Sequence, residues 1–153
     1  MKINSIQAEE PVANISIDVF MTITEPLMDK DCPLDVGGGP GQGFCGSGEV
    51  IPLGHASETI EFFAGCGGAC DLRTINLDGG SIFILETFSN LQVPGSSEGR
   101  GRALVGRGTL NDVTTGGTGI FEGATGTLSG TVRFAGKANQ IKLSGTIVLA
   151  STH

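Results

Sequence analysis

The alternation of apolar and polar residues is the clearest pattern at the start of this chain. Between Asn14 and Thr24 every second residue is apolar, namely Ile15, Ile17, Val19, Met21 and Ile23. Phe20 is the only large apolar residue in the opposite set. Because successive side chains of a strand point to opposite faces, this period of two predicts a half-buried β-strand.

The end of the chain repeats the pattern twice. One apolar set is Leu128, Val132 and Phe134, and the second is Ile141, Leu143, Ile147 and Leu149. Gly130 and Gly145 each occupy an apolar position of these two strands. Glycine weakens a strand unless another backbone comes close or the strand bends sharply, so both positions predict a crowded or bent sheet.

Weaker alternation predicts five further strands, at 44–51, 55–63, 71–77, 81–89 and 101–111. No long segment has a helical period, and 85–92 and 136–142 have room for at most a short helical turn. Eight strands with short turns predict an all-β fold, either a β-sandwich or a closed antiparallel β-barrel. We favour the barrel, because closure removes exposed strand edges. Residues 1–11 are expected to be a flexible segment before a single barrel domain at 12–150.

The composition narrows the classes of function. With 39% hydrophobic and only 16% charged residues, the chain is expected to fold around a core. A net charge of −7 and the absence of Trp and Tyr disfavour nucleic-acid binding. No segment has the length of apolar sequence that a membrane helix needs, so no membrane span is expected.

Four cysteines lie in stretches rich in Gly, Pro and Asp, at positions Cys32, Cys45, Cys66 and Cys70. Three interpretations remain open: disulfide bonds, a zinc site and a redox centre. The spacing matches the usual zinc and redox motifs poorly, so we favour disulfides, without choosing among the three pairings. This predicts a secreted or cell-surface protein. Because residues 1–11 lack the apolar core of a signal peptide, its leader is expected to be absent from this chain.

The segment from Gly116 to Gly126 reads GGTGIFEGATG and is followed by the strand-like TLSGT. It resembles a hairpin of the allene oxide cyclase and dirigent barrel superfamily, especially its uncharacterised secreted bacterial relatives. The resemblance covers roughly residues 100–150 and implies a closed barrel. The plant members that the chain resembles cyclise a fatty-acid epoxide or steer the coupling of phenoxy radicals. They work by orienting an apolar substrate and excluding water, with no cofactor.

Two glutamates are candidate catalytic residues, Glu86 and, more weakly, Glu61. Glu86 alternates in register with Ile82, Ile84 and Phe88, and a carboxylate on such a face would have a raised pKa that suits a general acid or base. The alternative is that Phe83 and Leu85 fill the core, which would turn Glu86 outward.

Four residues are candidates for ligand binding. Arg100, Arg102 and Arg107 belong, with Arg73, to the main basic concentration of an acidic chain and would suit an anionic ligand, and His55 is the one internal histidine. Solvated positions are the alternative for all four. The acidic residues near Asp29, Asp31 and Asp35 lack the spacing of a calcium loop, and no metal site is predicted.

Two hypotheses for function follow. The first is an extracellular barrel that binds a small apolar molecule in its lumen, with or without catalysis of an isomerisation or cyclisation. The second is a structural or assembly protein without turnover, in which the strand at 12–24 pairs between subunits. Either would form homo-oligomers, trimers in the first case and polymers in the second.

Overall fold

The computed structural model of the chain describes residues 13–24, 35–36, 42–62, 70–92, 105–135 and 138–150. Nearly all of them lie in nine strands. In chain order these are β1 (Ala13–Thr24), β2 (Asp35–Val36), β3 (Gln42–Ile51), β4 (Gly54–Phe62), β5 (Cys70–Leu77), β6 (Gly80–Gln92), β7 (Val105–Gly117), β8 (Thr125–Ala135) and β9 (Ala138–Leu149). The described part of the chain contains no α-helix.

Eight of these strands form a closed antiparallel β-barrel, as the alternation predicts. Neighbours from β3 to β9 pair in chain order, and β1 pairs with β9 on one side and β3 on the other. The two-residue β2 adds a short parallel pairing to β3. The closing pairs run from Asp18 opposite Ile51 to Ile23 opposite Gly46. Closure leaves β1 without a free edge, and the sandwich alternative is wrong.

The barrel has two different ends. At one, which we call the turn end, tight turns at Pro52–Leu53 and Asp78–Gly79 join the strands. A 3₁₀ turn at Gly119–Phe121 covers this end, where the backbone N–H of Ile120 donates to the carbonyl of Gly79. Phe121 is buried in the core. The connections at the opposite end, the loop end, lie outside the described residues, apart from the two residues of β2.

The motif from Gly116 to Gly126 thus has a structural use here. Several of its glycines have a positive φ, among them Gly119 at 60° and Gly123 at 78°. Residues other than glycine rarely adopt these backbone angles. The hydroxyl oxygen of Thr118 also accepts a hydrogen bond from the backbone N–H of Ser81, at 3.0 Å. These contacts hold the β7–β8 connection against the turn between β5 and β6.

One half of the barrel wall supplies most of the apolar core. The inward side chains of β1, β3, β8 and β9 are apolar, and they include Ile17, Val19, Met21, Val50, Leu128, Val132, Ile141, Leu143 and Ile147. Phe20, the apolar exception predicted for the polar face of β1, lies on the outer surface beneath the ammonium of Lys142, 5.8 Å from the ring centre. Alternation therefore assigned the two faces of these strands correctly.

Three predicted segments differ from the structure. The strand expected at 101–111 is β7, whose described span is Val105–Gly117. The segments 85–92 and 136–142, considered for short helical turns, lie in β6 and, for the part described, in β9. β7 was misplaced because its inward positions beyond Leu110 are Asp112 and Thr114, which read as solvent-facing in a sequence.

The glycines on the apolar positions of β8 and β9 meet neighbouring backbone, as predicted. A Cβ at Gly130 would collide with the carbonyl oxygen of Lys142, and one at Gly145 with the carbonyl oxygen of Thr127. The absence of a side chain lets adjacent strands coil closely enough to close the barrel.

We expect Gly130→Ala to destabilise the protein by about 1–3 kcal/mol, the usual cost of overpacking a buried site. The measurement is the free energy of unfolding in urea. Ser129→Ala, on the exposed face of the same strand, is the control and should change it by less than about 0.5 kcal/mol. Equal effects of the two substitutions would contradict the role of Gly130.

Candidate functional site

Five ionisable side chains lie inside the barrel, on the wall formed by β4–β7. We call them the lumen cluster: Glu58 on β4, Asp71 and Arg73 on β5, Glu86 on β6 and Asp112 on β7. None of the five is more than 2% exposed. Charged groups are rarely buried unless they are paired, so their arrangement needs a physical explanation.

The strand register places three of the carboxyl groups in one row. Asp71 lies opposite Glu86, and Glu86 lies opposite Asp112, so the row crosses β5, β6 and β7. Side chains at directly opposed positions stand about 5 Å apart at Cβ. On β8 and β9 the same row continues through Leu128 and Gly145, where the wall becomes apolar.

Arg73 is the only cation of the cluster and contacts two of its carboxyl groups. Its Nε and Nη2 donate to the two carboxylate oxygens of Glu86, at 3.0 and 2.6 Å. Its Nη1 donates to Oε1 of Glu58 at 2.5 Å. A bidentate pairing of this kind fixes both side chains in one geometry. Arg73 therefore bridges β4 and β6 across the strand that carries it.

The two aspartates favour their protonated forms. Burial, followed by the charge of Glu86, raises the pKa of Asp71 to about 9 and that of Asp112 to about 10. Both pKa values lie far above the ordinary aspartate value because the effect of burial and of the Glu86 charge exceeds the opposing effect of Arg73. At neutral pH each of these two side chains is thus a carboxylic acid that can donate its proton.

Glu86 favours its charged form. Burial alone would raise its pKa, but the charge and hydrogen bonds of Arg73, together with hydrogen bonds from Asp112 and Asp71, hold the pKa below its usual value. Burial raises the pKa of Glu58 more than Arg73 lowers it. Burial also acts to lower the pKa of Arg73, but the surrounding carboxylates outweigh it and keep Arg73 charged.

Several buried oxygens in the lumen lack a conventional donor. They are Oε2 of Glu58, both carboxyl oxygens of Asp71 and of Asp112, and the hydroxyl of Thr114. Protonated Asp71 and Asp112 act towards Glu86 as donors, and their own oxygens accept no hydrogen bond from a described residue. Buried polar groups usually have full sets of partners, so this wall has unused hydrogen-bonding capacity inside an otherwise apolar lumen.

The structure tests where each predicted site residue lies. Glu86 faces inward with Ile82 and Ile84, whereas Phe83 is 38% exposed, so the outward alternative for Glu86 is wrong. Glu61 lies on the exposed outer face of β4, which contradicts a place for it in the lumen. Ile60 and Glu58 face inward, and Glu61, one position along the strand from Ile60, points to the opposite face.

The predicted ligand-binding residues are not brought together in the lumen. His55 is exposed beside the β3–β4 turn, with Nδ1 3.8 Å from a carboxylate oxygen of Glu49. Arg107 is exposed on the outer face of β7. Arg100 and Arg102 lie outside the described residues. The arginine that does meet acidic groups is Arg73.

Two of the four cysteines lie among the described residues. Cys45 on β3 and Cys70 at the start of β5 are not free thiols. Cys32 and Cys66 lie outside the described residues, so the pairing of the four stays a prediction.

Sequence reasoning missed Glu58, Asp71, Arg73 and Asp112 as site residues. The signal that could have found them is their position along each strand. Glu58 lies two residues from both Ala56 and Ile60, on the same face, and Asp71 and Arg73 share a face with Ile75. Each shares the face of a buried apolar residue, but a charge in such a position is normally read as evidence that the face is outward.

Comparisons with known proteins give no relative: no protein family, no curated protein and no solved structure matches this chain. Among the described residues, no helix is long and apolar enough to cross a membrane. The described residues also contain no group of three or more His, Cys, Asp or Glu side chains placed to hold a metal ion.

We expect the stability of the protein to fall as the pH rises from about 5 to 9. The aspartates of the unfolded chain have already released their protons near pH 4, below this range. Folded Asp71 and Asp112 keep theirs up to about pH 9 and 10. Each extra proton held by the folded state lowers the free energy of unfolding by about 1.4 kcal/mol per pH unit. At lower pH, where the unfolded aspartates also keep their protons, the lowered pKa of Glu86 acts in the opposite direction and destabilises the folded state.

Asp112→Asn should flatten this slope, because its amide can donate to Glu86 without holding a titrating proton. The measurement is urea unfolding at several pH values, with Glu61→Gln on the outer wall as the matched control. A slope that Asp112→Asn leaves unchanged would contradict the buried, protonated state of Asp112.

Proposed function

We propose that this protein binds a small, largely apolar molecule in the barrel lumen, where the lumen cluster orients it and exchanges protons with it. The observation that carries the proposal is the row of Asp71, Glu86 and Asp112 among the apolar side chains of the barrel interior. Two of its members are acids at neutral pH and the third is a carboxylate. Perturbed ionisable groups of this kind concentrate at functional sites.

The two halves of the lumen wall offer different kinds of binding surface. The wall of β1, β3, β8 and β9 offers apolar surface, and the wall of β4–β7 offers oxygens without donors. A fitting ligand therefore has a hydrocarbon body and at least one hydroxyl or N–H group that can donate to those oxygens. Phe121 and the tight turns cover the turn end, so entry at that end is disfavoured.

The same groups support an isomerisation or cyclisation. Asp112 or Asp71 would give its proton to one atom of the substrate, and Glu86 would take a proton from another, so that no proton is gained or lost overall. Arg73 would keep Glu86 charged and fixed in place between turnovers. Orientation and exclusion of water would supply the rest of the rate enhancement. This reaction class agrees with the resemblance to the allene oxide cyclase and dirigent superfamily, which we retain as part of the proposal.

A secreted location belongs to the same proposal. The four cysteines support it, since disulfides persist in oxidising compartments. Mass measurement of the intact protein before and after reduction, with alkylation, would count them. Two bonds are expected, and four free thiols would contradict this location.

The second candidate function is a structural barrel without turnover. It is favoured by the near-complete burial of the lumen cluster, since a buried, bidentate ion pair can also serve to fix one arrangement of strands. Polymerisation through β1 would need another strand, because β1 is paired on both sides.

Titration with N-phenyl-1-naphthylamine, a neutral apolar fluorophore with one N–H donor, tests the first proposal. We expect saturable binding of one molecule per barrel. Val132→Phe, which places a larger side chain in the lumen and leaves less room for a ligand, should weaken binding by about tenfold or more. Ile51→Phe, at a position exposed on the outside, should leave it unchanged. Near-ultraviolet circular dichroism checks that both variants fold.

The carboxyl groups can be observed directly by carbon-13 NMR, with the Asp112 signal assigned from its loss in Asp112→Asn. Binding of the fluorophore should shift the Asp112 resonance and leave that of Glu61 in place. Absence of saturable binding would overturn the lumen proposal. Binding that leaves Asp112 unmoved would overturn the role of the lumen cluster and favour the structural alternative.

A further inference from the structure

The outer surface of β5–β7 carries an apolar face directly behind the lumen cluster. Leu72, Leu85 and Val113 lie side by side in register on the three strands, and Phe83 precedes Leu85 on the same outward set. We call these four residues the outer face. Val113 is 51% exposed and Leu72 is 42% exposed. Around these residues the wall is therefore inverted, with the lumen cluster inside and hydrocarbon outside, while Ile75, Ile82, Ile84 and Leu110 still face inward.

On β4, Glu61 lies directly opposite Leu72 at the edge of the outer face. The other outward positions nearest this face carry no charge. On β5–β8 they are Thr74, Asn76, Ser81, Thr87, Ser89, Thr109, Asn111, Thr115, Thr127 and Ser129. An apolar centre depleted of charge and surrounded by small polar residues is typical of protein–protein interfaces. In a chain with a net charge of −7, such a surface also lets two copies approach with the least repulsion.

The outer face borders a depression of about 420 Å³, which runs beside Leu85 and Val113 towards Ser129 and Ser144. Leu72, on the other side of Leu85, and Phe83 are also exposed.

Charges at the two ends of the surface have opposite signs. Arg107 and Arg133 are directly opposed on β7 and β8 at the loop end, and Asp78 and Glu122 are exposed at the turn end. None of the four forms an ion pair with another described residue. Arg107 lies six residues from Val113 and Asp78 lies seven from Leu85, about 20 Å in each direction along the strands.

We propose that two copies of this chain pair through the outer face about a two-fold axis that passes near Leu85 and Val113. The axis turns one copy end over end relative to the other, so that Arg107 of each meets the acidic end of its mate. A parallel arrangement would set arginine against arginine. The proposal does not depend on what the lumen binds.

The available surface is sufficient for such a dimer. A stable interface buries roughly 800 Å² per partner, about a tenth of the surface of a small protein. This chain exposes 8331 Å² in total, and β5–β8 form half of the eight-stranded wall. Contact over three of these strands would reach the required area.

Sedimentation velocity of the full chain across the micromolar range tests the pairing. The wild type is expected to sediment as a dimer. Val113→Glu places two like charges next to the axis and should raise the dissociation constant by at least about a hundredfold, a cost of several kcal/mol. Ile51→Glu is the matched control, because Ile51 is equally exposed (53%) but lies at the β3–β4 turn; it should leave the dimer intact.

A charge exchange tests the orientation. Arg107→Asp alone should weaken the dimer, and adding Asp78→Arg in the same chain should restore it. Failure of the second change to restore pairing would overturn the two-fold arrangement. A monomeric wild type, a trimer, or equal loss of pairing in Val113→Glu and Ile51→Glu would overturn the proposal as a whole.

Discussion

The shared guanidinium of Arg73 is the interaction on which the interior of this barrel depends. One cation serves four carboxyl groups, and it can fully neutralise only one of them in a medium that excludes water. Glu86 receives two of its hydrogen bonds and stays charged, while Asp71 and Asp112 balance the remaining demand by keeping their protons. The division of charge within the lumen thus follows from burial, which favours the protonated aspartates, and from a single cation that keeps Glu86 charged.

The inverted wall connects the two proposals physically. A strand that places charges in the lumen must present the alternate residues outside, and on β5–β7 these include Leu72, Phe83, Leu85 and Val113. Turning the strands over would place the cluster outside but would also expose Ile75, Ile82, Ile84 and Leu110. The register opposes it as well, because every neighbouring strand is fixed by its own alternation. The alternation therefore links two unfavourable features, because strands that bury the cluster also expose the outer face. A bound molecule inside or a second copy outside would each offset part of the free-energy cost.

The sequence predicts the barrel well and the site only in part. Where alternation is purely apolar against polar, as in β1, β8 and β9, it assigns the inward face correctly, and it explains the glycines at 130 and 145. It fails on β5 and β7, where Asp71, Arg73 and Asp112 take inward positions that composition assigns to solvent. Glu86 could be found because its neighbours Ile82 and Ile84 outweigh it. The partners of Glu86 could not, since only the register across four strands brings them together.

Closure by β1 has a consequence for how the chain reaches its native state. β1 completes the cylinder by pairing with β9, so the hydroxyl of Ser144 donates to Asp18 across 126 residues of sequence. Contacts between such distant segments form late, because the entropy of closing the loop must be overcome first. During synthesis, β1 and the hairpins from β3 to β8 can assemble while β9 is still being made. Only β9 then joins β8 to β1, so the water can leave the lumen only after this strand has been added.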